Sequence, residues 1–250
     1  MGSGTGGRVS ATAAVAKSGA TVNRRAHRSG VPAEAPARHP ARRVIIDGEG
    51  RARVAAQVPS PNCDERPHDT PISMIVVHGI SLPPGEFGGD AIERLFTNRL
   101  DPGAHPALAS VAALRVSAHF LVRRDGSLVQ FVPCVRRAWH AGESAWRGRP
   151  RCNDYSIGIE LEGTDDVAYE AAQYAMLARL IRALRRRYPI DDIVGHSDVA
   201  PGRKTDPGAA FDWTRLASAL VGRLPRRDDR RASRRWSHDG VRYPPFRFKV

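Results

Sequence analysis

Between Tyr155 and Arg187 the sequence changes its period, and that change limits what the chain can fold into. "YSIGIELEG" (155–163) alternates strictly, with Ile157, Ile159 and Leu161 facing one way and Gly158, Glu160 and Glu162 the other; this is the period of a strand. In 170–187 the apolar residues Tyr174, Leu177, Leu180, Ile181 and Leu184 share one side, while Arg179, Arg182 and Arg186 take the opposite one. That is the period of an amphipathic helix. A strand followed directly by a helix of this length predicts α/β layers.

The neighbouring segments keep to the pattern. "SMIVVHGIS" (73–81) reads as a buried strand stopped by the glycine- and proline-rich text after it. "DAIERLFTNRL" (90–100) puts Ile92, Leu95, Phe96 and Leu100 on one helical face, with Asp90 as its cap. "SAHFLVRRDGSLVQFV" (117–132) is two β-rich runs around Asp125-Gly126, a hairpin signature. "DDIVGHSDV" (191–199) gives a short strand that runs into "GHSDVAPGRKTDPG" (195–208), read as a rigid, turn-rich loop. The expected fold is one α/β domain over 44–221, with a central mixed β-sheet flanked by helices.

Charge supports those boundaries. Of a net +13, residues 1–43 contribute +7 (eight Lys/Arg against Glu34) and residues 222–250 another +7 (ten against three), which leaves 44–221 at −1. The basic character belongs to two tails without hydrophobic periodicity, expected to be disordered; in the second, Trp236, Tyr243, Phe246 and Phe248 could dock a last short segment. Met1 is the only methionine before Met74, and residues 1–43 are expected to be dispensable or an extension ahead of the true start, with Val31 or Val44 as alternative starts. A nucleic-acid role for the domain loses its electrostatic support. Cys63, Cys134 and Cys152 are odd in number and form no C-x-x-C pair, which speaks against a disulfide scaffold or thiolate metal knot and for a reducing compartment. With no recognisable export signal or transmembrane run, the expected location is cytoplasmic, without a membrane partner.

The ionisable residues sit where chemistry could use them. His78 ends the first strand, His196 follows "IVG", and Asp206 comes ten residues later, beyond a turn stiffened by Pro201 and Pro207. Two imidazoles and a carboxylate leave one position of a tetrahedral zinc open, the mark of a catalytic site. Spacing alone does not select this triple, because His105, His119 and His140 also compete. Asp206 before Pro207 could simply begin a turn, Arg203 and Lys204 could be a solvated pair, and Glu160 and Glu162 could be the polar face of an edge strand.

Longer stretches narrow the choice. "VPSPNCDERP", "VVHGISLPPGEFGG", "LRVSAHFLVRRDGSLVQFVP", "RAWHAGESAWRGRPRCNDYSIGIELEGTDD" and "GHSDVAPGRKTDPGAAFDW", in this order between Val58 and Trp213, resemble the AmpD-type N-acetylmuramoyl-L-alanine amidases, relatives of phage amidases and peptidoglycan recognition proteins. The resemblance implies that fold, one Zn²⁺ per chain on His78, His196 and Asp206, and catalytic roles for Glu160 and Lys204. It implies a substrate cleft lined by Arg115, Arg151, Trp139 and His140. Glu162 shares the face of Glu160 but lies about 6.5 Å further along, so both cannot meet the same water. The implied substrate is a soluble 1,6-anhydromuropeptide, cut between muramic acid and L-alanine by a monomer in peptidoglycan recycling, with an indirect effect on β-lactamase induction. Many relatives carry Asn after the first zinc histidine; here it is Gly79. A peptidoglycan-binding module without catalysis is the second reading, disfavoured because all five chemical residues are present together.

Overall fold

A computed structural model describes residues 43–221 and 247–248. The two expected basic tails and the alternative starts lie almost wholly outside the described residues. In chain order the elements are β1 (Ala56–Gln57), β2 (Cys63–Glu65), β3 (Met74–Ile80), α1 (Ala91–Phe96), β4 (Phe120–Val122), β5 (Leu128–Gln130), β6 (Arg136–Ala138), β7 (Ala145–Trp146), β8 (Arg149–Pro150), β9 (Ser156–Glu162), α2 (Ala171–Arg187), β10 (Asp192–Gly195), α3 (His196–Val199), α4 (Trp213–Val221) and β11 (Arg247–Phe248).

Seven strands form one mixed sheet in the order β1-β5-β4-β9-β3-β10-β11. From β4 to β11 the neighbours run parallel, and β5 turns back antiparallel to β4. The hairpin expected around Asp125-Gly126 is that antiparallel pair. Gly126 takes the left-handed conformation at φ 82°, and Asp125 Oδ1 accepts from the Ser127 N–H at 2.8 Å, so both turn residues act as their chemistry predicts.

The two faces of β9 are buried differently. Ile157, Ile159 and Leu161 join Ile75 and Val77 against Tyr174, Leu177, Leu180, Ile181 and Leu184 of α2. Gln173 pins the start of this helix to the sheet: its Oε1 accepts from the Glu170 N–H at 2.9 Å, and its Nε2 donates to the carbonyls of Glu162 (3.0 Å) and Val122 (3.2 Å). On the opposite face two smaller apolar clusters form, one around α1 with Leu121 and Phe131, the other around Met74, Val76 and Val194.

Three expectations need correction. The strand bearing Glu160 and Glu162 is not an edge strand but the centre of the sheet, and both carboxylates are buried. The helix expected over 90–100 ends at Phe96, since Asn98 turns left-handed at φ 59°; Asp90 pairs with Arg94 Nε at 2.7 Å instead of capping the backbone. The stretch after Gly195 is not all loop, because His196–Val199 form one helical turn whose Asp198 carboxylate accepts from the Gly195 N–H at 2.9 Å.

Leu180 lies wholly inside the α2–sheet layer. Leu180→Ala is expected to lower the free energy of unfolding by about 2–5 kcal/mol, measured by urea titration; a loss below 1 kcal/mol would mean this layer is not the stabilising core.

Candidate metal centre and active site

Three parallel strands end side by side at one place. His78 on β3 is in register with Glu160 on β9, and Val77 is in register with Gly195, the last residue of β10. The next residue, His196, therefore emerges beside His78. Asp206 returns over this edge on a turn closed from two sides. The Ser197 N–H donates to the Asp206 carbonyl at 2.9 Å, and the Tyr169 hydroxyl donates to the Pro207 carbonyl at 2.9 Å.

These side chains converge on a small triangle. His78 Nδ1 lies 3.0 Å from His196 Nδ1 and 3.2 Å from Asp206 Oδ2, and His196 Nδ1 lies 3.1 Å from that same oxygen. His196 Nε2 faces the Ala141 carbonyl at 3.3 Å. A carbonyl only accepts, so the ring proton sits on Nε2 and Nδ1 offers a lone pair. Two acceptors, that nitrogen and the carboxylate oxygen, then face each other with no proton between them, an arrangement that calls for a cation. Donors around a tetrahedral zinc, bonded at about 2.0–2.1 Å, stand about 3.3 Å apart. The residues present fit such an ion, and the fit rests on this geometry.

The electrostatics agree. Burial pushes the His78 imidazole down to about 4, with Asp206 opposing and the neighbouring His196 adding to the fall, so the ring is neutral and able to ligate. Burial alone would raise Asp206, but the adjacent His196 and His78 rings outweigh it and hold the carboxyl well below its usual range. Glu160 is the opposite case. Burial pushes its carboxyl well above the ordinary range, nearby Asp206 adds to the rise, and the Lys204 ammonium works against it. Glu160 Oε2 is buried and has no hydrogen-bond partner among the described residues. Glu162 is fully engaged: it accepts from the Gly88 N–H at 2.6 Å, the Arg124 N–H at 3.2 Å and Arg123 Nη1 at 3.4 Å.

The remaining candidates separate. Lys204 is exposed on the turn before Asp206, with its charge felt at both His78 and Glu160. Trp139 and Arg151 line a cavity of about 470 Å³ together with Asp64, Arg137, Gly142 and Asn153. Arg115 is exposed, donates to the Ala113 carbonyl at 3.3 Å, and is not among the residues lining that cavity. His140 is buried, with Nδ1 3.0 Å from His78 Nε2 and Nε2 3.2 Å from Ser156 Oγ, and is not among the residues lining that cavity. His105 accepts from the Ala107 N–H at 3.1 Å, and His119 binds the Gly158 N–H at 3.0 Å; neither joins the triangle.

Sequence reasoning missed Tyr169, Asp64, Arg137 and Asn153. Asp64, Arg137 and Asn153 stand inside the quoted stretches, but nothing in their spacing announced a wall. A Cβ at Gly79 would lie 2.3 Å from the Tyr169 hydroxyl, so the space that a side chain there would enter is taken by this tyrosine.

An unengaged buried acid beside a cation-seeking triangle, at the carboxyl ends of parallel strands, defines a hydrolytic enzyme of the α/β class. A family model described as N-acetylmuramoyl-L-alanine amidase matches residues 68–209, and the chain belongs to that family. It is 59% identical over 180 residues to the 1,6-anhydro-N-acetylmuramyl-L-alanine amidase AmpD of Citrobacter freundii, covering 71% of this chain and 96% of the relative. With the AmpD of Escherichia coli K12 it shares 61% over 164 residues, 65% of this chain and 90% of the relative. A crystal structure of an AmpD selenomethionine derivative superposes with a TM-score of 0.69 at 57% identity, over 70% of this chain and 99% of that one. An endolysin amidase from Clostridium intestinale, at 19% identity and a TM-score of 0.50, shares the fold.

The raised Glu160 carboxyl has a stability consequence. The unfolded chain loses this proton near pH 4.3, whereas the folded chain keeps it to higher pH, so Glu160 favours folding at low pH and the benefit is lost as pH rises. In metal-free protein, Glu160→Gln should raise Tm near neutral pH, and the gap should close as pH falls towards about 4. An equal Tm for both proteins at neutral pH would show that Glu160 ionises there without penalty.

Proposed function

We propose that this chain is a zinc-dependent amidase that hydrolyses the bond between 1,6-anhydro-N-acetylmuramic acid and the L-alanine of a stem peptide, in cytoplasmic peptidoglycan recycling. The observation that carries the reading is the free, buried oxygen of Glu160 next to the triangle of His78, His196 and Asp206. The names of the relatives at about 60% identity, which specify the anhydro substrate, support it. Removal of such muropeptides would bear indirectly on β-lactamase induction. No helix among the described residues is long and apolar enough to cross a membrane.

His78, His196 and Asp206 would hold the ion. Zinc bound there polarises the amide carbonyl and makes water more acidic. Glu160 Oε2 takes a proton from the attacking water as its oxygen bonds to the carbonyl carbon. The same carboxyl returns that proton to the departing alanine nitrogen as the C–N bond breaks. Lys204, on its exposed turn, offsets the negative charge that builds on the carbonyl oxygen. Trp139 and Arg151 would line the substrate's approach, Arg151 held towards Asp154 Oδ2 at 2.8 Å; Arg115 is assigned to the same substrate by its match to the family.

Incubation with anhydromuramyl-tripeptide, with and without a chelator, should release the tripeptide only when metal is present, read by mass. A fully active metal-free preparation would end this reading. His196→Ala should lose both metal and turnover, and His105→Ala should keep both.

Glu160→Gln should retain zinc and fold while kcat falls by about 10²–10⁴-fold. Lys204→Ala should also act mainly on kcat. Glu162→Gln should instead cost about 1–3 kcal/mol of stability, because it disturbs a buried hydrogen-bond set, with a much smaller change in kcat. Near wild-type kcat in zinc-loaded Glu160→Gln would mean that another group is the base.

A further inference from the structure

Both histidines of the triangle turn their outer nitrogens to one dipeptide. His78 Nε2 is 3.0 Å from the His140 ring, and His196 Nε2 is 3.3 Å from the carbonyl of the next residue, Ala141. That dipeptide is neither helix nor strand, so something other than a regular ladder must hold it. Asn153 does so: its Oδ1 accepts from the His140 N–H at 3.2 Å and from the Ala141 N–H at 2.8 Å.

Two further contacts fit the same purpose. Gly158 sits in the centre of β9, where a glycine weakens a strand, and a Cβ there would come within 2.4 Å of the His140 ring. The strand is thinned where the imidazole lies against it. Arg203 Nη2 donates to the same Ala141 carbonyl at 2.6 Å, which fixes that oxygen from the side of the Asp206 turn.

We propose that Asn153 is a positioning residue. By clamping His140 and Ala141 it sets the acceptors that hold the Nε2 protons of His78 and His196, and so aims both Nδ1 lone pairs at the metal. The inference rests on the zinc reading above. An acceptor behind each ligating imidazole fixes its tautomer and ring angle, and losing one costs about 10–100-fold in metal affinity. Here one amide side chain stands behind two ligands, so its removal acts on both.

The test is the zinc dissociation constant of the full chain, measured without substrate by competition with a chromogenic chelator. Asn153→Leu, which keeps the size and removes the acceptor, should weaken binding by about 10–100-fold, and Asn153→Asp, which keeps the acceptor, should restore it. His140→Phe should weaken binding in the same way, while His140→Asn, with an oxygen near the Nδ1 position, should recover much of it. Zinc-loaded wild type supplies a reading that needs no variant: an N–H···N scalar coupling between His78 Nε2 and His140 Nδ1 in ¹⁵N NMR. Wild-type affinity in folded Asn153→Leu overturns the proposal. So does absence of the coupling, or a fall in metal-free Tm with zinc affinity unchanged. Wild-type protein that binds no zinc overturns the metal reading instead, a result distinct from all of these.

Discussion

The parallel pairing of β3 between β9 and β10 is the constraint on which the site depends. One register sets His78 opposite Glu160, and the other ends β10 at Gly195 opposite Val77, so two imidazoles and a carboxyl leave the sheet within one strand-end of each other. A shift of one residue in either pairing would turn the affected side chain to the opposite face, into the apolar layer under α2. That layer is what forbids the shift. The hydrophobic alternation of β9 is therefore as necessary to the chemistry as the glutamate it carries, and Gln173 adds a lock by holding α2 to the ends of β9 and β4.

Much of the framework was legible in the sequence because periodicity is a local signal. The 2.0-residue period of 155–163 and the 3.6-residue period of 170–187 each reported a burial pattern that tertiary structure then used. What periodicity could not report was strand order. Glu160 and Glu162 were identical by type and face, and only their neighbours separate them. Arg123, Arg124 and Gly88 close around Glu162 from segments far along the chain, while Glu160 is left facing Asp206 and the triangle. The early end of α1 was hidden for a similar reason. Leu100 stays buried outside the helix, so the apolar spacing continued after the helical geometry had stopped at Asn98.

The triangle shows the same division. Its members stood at strand ends and in a proline-stiffened turn, which sequence can display, but three other histidines competed for attention with His78 and His196. Second partners settle the choice. His105 is spent on a backbone N–H, His119 on Gly158, and His140 on His78 and Ser156. None of those contacts leaves a periodic trace. The resemblance in the quoted stretches supplied the selection that spacing could not, while a motif match conveys adjacency in sequence and not the burial that His140 has.

Gly79 and Gly158 have no side chain to react or ligate, but each presents bare backbone to a ring, Tyr169 at one and His140 at the other. The inner wall of the site is thus made partly of volume withheld from the sheet. A scan of every position for retained activity would score Gly158 beside the ligands themselves, although its contribution is emptiness. Intolerance to change in this enzyme reports where space is kept as faithfully as where reactions occur, and a map of sensitive positions drawn on the fold would outline the mould of the site as well as its reactive groups.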